Sequence, residues 1–186
     1  MKMFLSLLFI AIVAIVIVAA SGTYNISATE KHWSIVEKAI TWARNNSIDT
    51  HAKNLVVSKF DEKEVLSSGL EHYHAMCTEC HLSPGQKPTE ISMGLYPQAP
   101  VFHERSPILE HPNQSEVIKK YFWVIKNGLK MTAMPSWGLT HDDKSIWTMA
   151  AFALKLHGMN AQQYEDHIRA LEADHSHDHG HDDHSH

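Results

Sequence analysis

Residues 3–20, MFLSLLFIAIVAIVIVAA, hold no charged side chain and one hydroxyl, Ser6. Wound as a helix rising 1.5 Å per residue they cover about 27 Å, close to the hydrocarbon core of a bilayer. The pattern predicts a membrane segment within residues 1–22. An uncleaved anchor is expected, while Val18-Ala19-Ala20 before Ser21 also makes an acceptable signal-peptide cleavage site. Lys2 is the only cation ahead of it, and positive flanks stay cytoplasmic. Residues 21 onward are therefore expected on the outer side of a bacterial inner membrane, as an anchored periplasmic domain or, if cleaved, a free periplasmic one.

Beyond the anchor the apolar positions take helical spacing. Trp33, Ile35, Val36, Ala39, Ile40, Trp42 and Ala43 recur between Glu30 and Asn46, with Lys31, Glu37, Lys38 and Arg44 on the other side. Residues 47–60 read as a connection, so 23–60 is an amphipathic helix plus linker. Asp61 can cap a helix with Glu64 reaching back to it, and Leu66, Leu70, Tyr73 and Cys77 then share one face of a helix running to about Cys80. Six of the seven prolines fall in 82–114, which predicts a wrapping loop. Periodicity resumes at Ser115-Glu116 and stops at Gly128. After a break at 129–139 it resumes behind an expected cap at Thr140, with Ile146, Trp147, Met149, Ala150, Phe152, Ala153 and Leu154 carrying it to His157-Gly158. A last helix covers about Ala161 to Ala173. No alternating strand pattern persists, so the class is all-α. The divisions are a helical domain at 61–158, a C-terminal helix at 159–173 and a tail at 174–186.

Composition narrows the function classes. The chain has 186 residues and a formal charge of −5, without a basic stripe or a Gly-rich phosphate loop, which argues against nucleic-acid and nucleotide partners. The tail DHSHDHGHDDHSH holds six of the sixteen histidines, His175, His177, His179, His181, His184 and His186, and reads as disordered. Its imidazoles and carboxylates could chelate Zn²⁺, Cu²⁺ or Ni²⁺, or be an incidental low-complexity end.

Only two cysteines exist, and they lie in Cys77-Thr78-Glu79-Cys80-His81, the C-x-x-C-H sequence of covalent haem c attachment. On one helical turn the thiols at i and i+3 project from one side, where each can form a thioether with a haem vinyl group, and the adjacent His81 can bind the iron. A Cys77–Cys80 disulfide or part of a zinc site are the competing readings. Met134, in Met131-Thr132-Ala133-Met134-Pro135, is the expected second axial ligand, with Met131 next; His103, His111 and His141 are outside candidates for a bis-histidine site. Pro135 biases Met134 away from helix, which keeps a ligand loop open. Phe122, Trp123, Trp137, Trp147 and Phe152 are the expected apolar shell.

Gly69-x-x-x-Tyr73-x-x-x-Cys77-x-x-Cys80-His81, Asn127-Gly128 ahead of Met134-Pro135, and Ile146-Trp147 with Ala151-Phe152 together resemble the class I c-type cytochromes, over about Ser67 to Gly158. The resemblance implies a cytochrome c-like helical fold wrapped around one covalent haem. It also implies a crossing of first and last helices at Gly69, and a proline carbonyl, from Pro97 or Pro100, on the proximal imidazole. Leu82 departs from the Gly that commonly follows the motif's His. With both axial positions filled, no position is left for a substrate, so the expected role is carriage of single electrons between redox protein donor and acceptor, not enzymatic turnover. A haem subunit of a larger membrane oxidoreductase and a metal-handling or sensing protein are the alternatives.

Overall fold

The structure is a computed structural model and describes residues 1–108 and 111–178, with no side chains described for 111–113 and 175–178. Every described element is helical, and no strand occurs among the described residues. The apolar run forms α1, Lys2–Ala20, whose mean hydropathy of 3.1 and length suffice to cross a membrane. Helix α2 covers Ser34–Ala52, six residues past the predicted stop at Asn46. Ala52 is buried, and Ile48 and the following Leu55 are half-buried, so packing extends the helix where composition alone looked polar.

Asp61 and Glu64 form the expected reciprocal cap at the start of α3, Glu62–Glu64. The chain then widens into a π-turn over Val65–Gly69 before α4, Leu70–Met76, and the one-turn α5, Thr78–His81. The segment read as one helix therefore contains a bulge, and the bulge lies where the chain meets α8, Asp143–Lys155. Gly69 permits that crossing: a Cβ there would stand 2.5 Å from the Thr148 carbonyl oxygen and 3.0 Å from Phe152 Cβ.

The proline-rich segment is mostly irregular, and among its described residues before His111 the regular structure is α6, Glu90–Gly94, and a 3₁₀ turn at Phe102–Glu104. Helix α7, His111–Asn127, begins four residues before the Ser115-Glu116 start predicted from periodicity. Pro112 falls in its first turn, where a missing N–H breaks no helical bond. Gly128 ends it in the left-handed region at φ +67°. Helix α8 is capped by Asp142, whose Oδ1 accepts the Ser145 N–H at 2.8 Å, and not by Thr140. Asp142 is extended, φ −75° and ψ 166°, the backbone an N-cap needs, whereas Thr140 closes the preceding 3₁₀ turn.

Every residue from Ile146 to Ala153 of α8 is buried, and Trp147 stacks on Phe122 of α7 with ring centroids 3.9 Å apart. Burial of such side chains contributes about 1.5–3 kcal/mol each, so α8 is the axle of the fold. Helix α9, Ala161–Asp178, runs five residues beyond the predicted stop at Ala173, into the segment expected to be disordered. Its Tyr164 is buried against Phe152 and His74. Residues 179–186 lie outside the described residues.

Candidate haem-binding turn and methionine loop

The Cys77–His81 turn grows directly from α4. Tyr73, one turn before Cys77, is buried in the core and sends its hydroxyl to the Leu82 carbonyl at 2.8 Å. That bond fixes the exit of the turn. Leu82 sits at φ +59° and ψ 148°, a region that essentially only glycine enters freely. The departure from glycine at this position leaves the turn intact: Leu82 takes the glycine-like backbone and keeps its side chain buried.

Both cysteines are free thiols, half-buried, and not joined to each other. Burial, and then the nearby Cys80, pushes the Cys77 thiol up to about 12; burial and Glu79 raise Cys80. Both are protonated at neutral pH, so neither has the character of a low-pKa reactive thiolate. Among the described residues no group of three or more His, Cys, Asp or Glu side chains gathers to hold a metal ion.

His81 Nδ1 lies 2.8 Å from the carbonyl oxygen of Pro100. Since that oxygen can only accept, Nδ1 carries the proton and Nε2 presents a lone pair. Of the two prolines left open by the sequence, Pro100 makes this bond. The ring also stacks on Phe102, with centroids 4.8 Å apart and planes 20° from parallel. Burial lowers the pKa of His81, against the Pro100 hydrogen bond and with help from the Arg105 charge. The imidazole is thus neutral, oriented and able to bind a metal through Nε2. Phe102 and Arg105 carry no sequence signature for this role, because both act through tertiary contacts with residues far from the motif.

Met134 is half-buried in the loop between Gly128 and Trp137, whereas Met131 is 97% exposed at φ +61°. The loop folds back on the end of α7: Leu129 N–H donates to the Met134 carbonyl at 3.2 Å and Ser136 Oγ to the Lys126 carbonyl at 2.7 Å. A Cβ at Gly128 would lie 2.8 Å from Met134 O and 2.9 Å from Ser136 N, so the loop closes over a position only glycine fills.

The remaining candidates are scattered. His103 Nδ1 is buried without a hydrogen-bond partner among the described residues, and burial lowers its pKa. His141 bonds Thr140 Oγ1 and stands edge-on to Trp137 and His72. The His111 side chain lies outside the described residues, as do those of His175, His177, His179, His181, His184 and His186. Phe122, Trp147 and Phe152 are buried, but Trp123 stacks on His51 of α2 and so belongs to a different contact from the expected shell.

The two free thiols and the neutral imidazole with Nε2 open lie on one turn, a donor set that fits one covalently held haem, and Met134 lies in a separate loop. Residues 64–152 match the family model described as Cytochrome C oxidase, cbb3-type, subunit III. Comparisons with curated proteins and with solved structures each found no match.

Proposed function

We propose that the chain, whose residues 64–152 match that family model, is a mono-haem c-type electron carrier, tethered by α1 and facing the periplasm. Cys77 and Cys80 supply the thioether links, His81 Nε2 the proximal ligand and Met134 the distal one. Haem c, when bound, contributes a reversible one-electron Fe(III)/Fe(II) couple, and the protein decides how that couple is poised.

The roles divide by chemistry. The Pro100 carbonyl holds the Nδ1 proton of His81, which keeps the ring in one tautomer and raises its basicity as a ligand. Phe102 fixes the ring plane by stacking. The Met134 thioether is soft and neutral, so it favours the ferrous state and raises the potential relative to a second histidine. Ligands on both sides leave no open position for oxygen or an organic substrate, which makes electron transfer rather than turnover the expected work.

The observation that carries this reading is the His81–Pro100 bond, because it leaves Nε2 of the motif's own histidine free to bind iron, which a Cys77–Cys80 disulfide would not need, while no further ligand side chains gather among the described residues to complete a zinc site. The test is a pyridine haemochrome assay and intact mass on material recovered from membranes. One covalent haem per chain and a six-coordinate low-spin spectrum are expected. Absence of haem, or avid carbon monoxide binding by the reduced wild-type protein, overturns it.

The similarity to subunit III of cbb3-type cytochrome c oxidases favours a second reading, in which the chain serves as the haem subunit of a larger membrane oxidase complex. Purification in mild detergent separates the two: a stoichiometric partner subunit supports the complex, and a chain that exchanges electrons alone supports the carrier.

A further inference from the structure

Helix α2 turns the wrong face to the cytochrome domain. At 3.6 residues per turn, Thr41, Arg44, Ile48 and Ala52 share one side of it, and all four are half-buried or buried. Asp49 pairs with Lys120 of α7 at 2.7 Å and His51 stacks on Trp123, so the C-terminal half of the helix is seated on α7. Ile35, Ala39 and Trp42 share a different side and face solvent, with Ile35 74% and Trp42 70% exposed. Trp33, at the N-cap, is 52% exposed.

The chain between α1 and α2 says what covers this side. Tyr24 packs edge-on against Trp33, ring centroids 5.0 Å apart, and its hydroxyl bonds His32 Nδ1. Tyr24 lies only four residues past Ala20, the end of the apolar helix, a reach of roughly 14 Å at most. The pinch therefore holds Trp33 and the start of α2 at the level where α1 leaves the hydrocarbon. Tyrosine and tryptophan are the side chains favoured at that depth, and an amphipathic helix with Trp and Ile on one side is suited to lie in it.

We propose that α2 rests on the outer surface of the same bilayer, with Trp33, Ile35, Ala39 and Trp42 in the lipid interface and Tyr24 as the corner. The proposal rests on the reading of α1 as a retained anchor. Glu30 and Glu37 offset Lys31 and Lys38, so the contact is apolar and does not need anionic lipid. Its consequence is orientation. His32 N–H donates to Tyr96 Oη at 3.0 Å, which ties the membrane-seated strap to the loop that brings Pro100 onto His81. A domain pinned at α1 alone could turn on its tether, whereas one also seated along α2 presents a fixed side to partners in the membrane.

The test uses the full chain in phosphatidylcholine vesicles, with photoreactive p-benzoylphenylalanine replacing Ile35, Trp42 or, as a control on the opposite side, the exposed Glu37. Several-fold more lipid adduct from positions 35 and 42 than from 37, unchanged in high salt, is expected. Equal adduct at all three positions, or cross-links from 35 and 42 to protein instead of lipid, overturns the proposal. Carbonate extraction of the same vesicles reads the anchor separately. A chain that resists extraction but gives no lipid adduct overturns the α2 seat alone. A chain released by carbonate that still gives adducts at 35 and 42 overturns the anchor and upholds the seat. Release without adducts overturns both.

Discussion

In the proposed ligation the Cys77–Leu82 turn and the Met134 loop each supply one axial ligand, yet they are held in different ways. The turn is rooted in the core: Tyr73 is buried and bonds its last carbonyl, Phe102 is buried and stacks on its imidazole, and Gly69 lets α4 press directly on α8. The loop is held mainly by backbone, through the Leu129, Ser136 and Gly128 contacts at the end of α7, with Met134 only half-buried. Damage to the turn should therefore propagate into folding, while damage to the loop should change the iron and spare the fold.

The ligand series tests that contrast with the largest expected effect. Met134→Ala should open the reduced iron to carbon monoxide, and Met134→His should keep six coordination while lowering the midpoint potential by a sizeable part of the ~0.8 V that axial ligation can command. Thermal unfolding of the polypeptide should change little in either. Met131→Ala should alter none of these, since that side chain is in solvent. Carbon monoxide binding by the Met131 variant and not the Met134 variant would transfer the ligand assignment.

Gly69→Val tests the other side. A branched side chain placed 2.5 Å from the Thr148 carbonyl must push α4 off α8, and overpacking of this kind costs about 3 kcal/mol or more. The expected signature is a lower melting temperature with reduced haem incorporation. A variant that unfolds normally while losing only its Met134 ligation would reverse the contrast.

Legibility in the sequence follows the same division. Everything fixed by local spacing could be read: the apolar N-terminal helix, the Asp61–Glu64 cap, the helical turn at Cys77–His81, the glycine stops and the burial of α8. What escaped is fixed by contacts between distant residues. Nothing local distinguishes Pro100 from Pro97 as the partner of His81, or marks Phe102 as the ring beneath it. The α2 extension to Ala52 depends on α7, while the cap at Asp142 escaped for a nearer reason, the 3₁₀ turn just ahead of it that consumes Thr140. The π-turn ending at Gly69 is a response to α8, invisible to a helical period.

A smaller effect should appear with pH at the side of the fold behind Phe102. His157 Nδ1–H donates to the Ser106 carbonyl, and Nε2 accepts the Tyr121 hydroxyl at 2.9 Å, while Arg105 donates to that same hydroxyl. Burial first, then Arg105, lowers the His157 pKa, opposed by the Ser106 bond. The unfolded chain thus binds the proton more readily than the native one. Stability from this group is fully present above the unfolded value of about 6.5 and declines as pH falls from there toward the native value. His157→Gln should flatten the difference in unfolding free energy between about pH 5.5 and about pH 7.5, by up to ~1.4 kcal/mol for each unit of depression. An unchanged slope would show that other histidines carry the acid sensitivity.

The finest discrimination comes from Leu82, where the turn's two requirements conflict. Its backbone occupies a glycine region at a cost of about 1–3 kcal/mol, and its side chain, 8% exposed, is buried in return. Leu82→Ala removes the burial and keeps the strain, so it should cost about 2–5 kcal/mol. Leu82→Gly removes the burial and the strain together, against an added backbone entropy of about 0.5–1 kcal/mol. Glycine should therefore be the milder substitution by about 1 kcal/mol, the reverse of the order found inside an ordinary helix, where alanine is better by a similar amount. Denaturant unfolding of the two variants reads this directly. If alanine proves the milder, the φ of +59° is not strained in this setting, and the bond from Tyr73 to the Leu82 carbonyl holds a backbone that would have formed anyway.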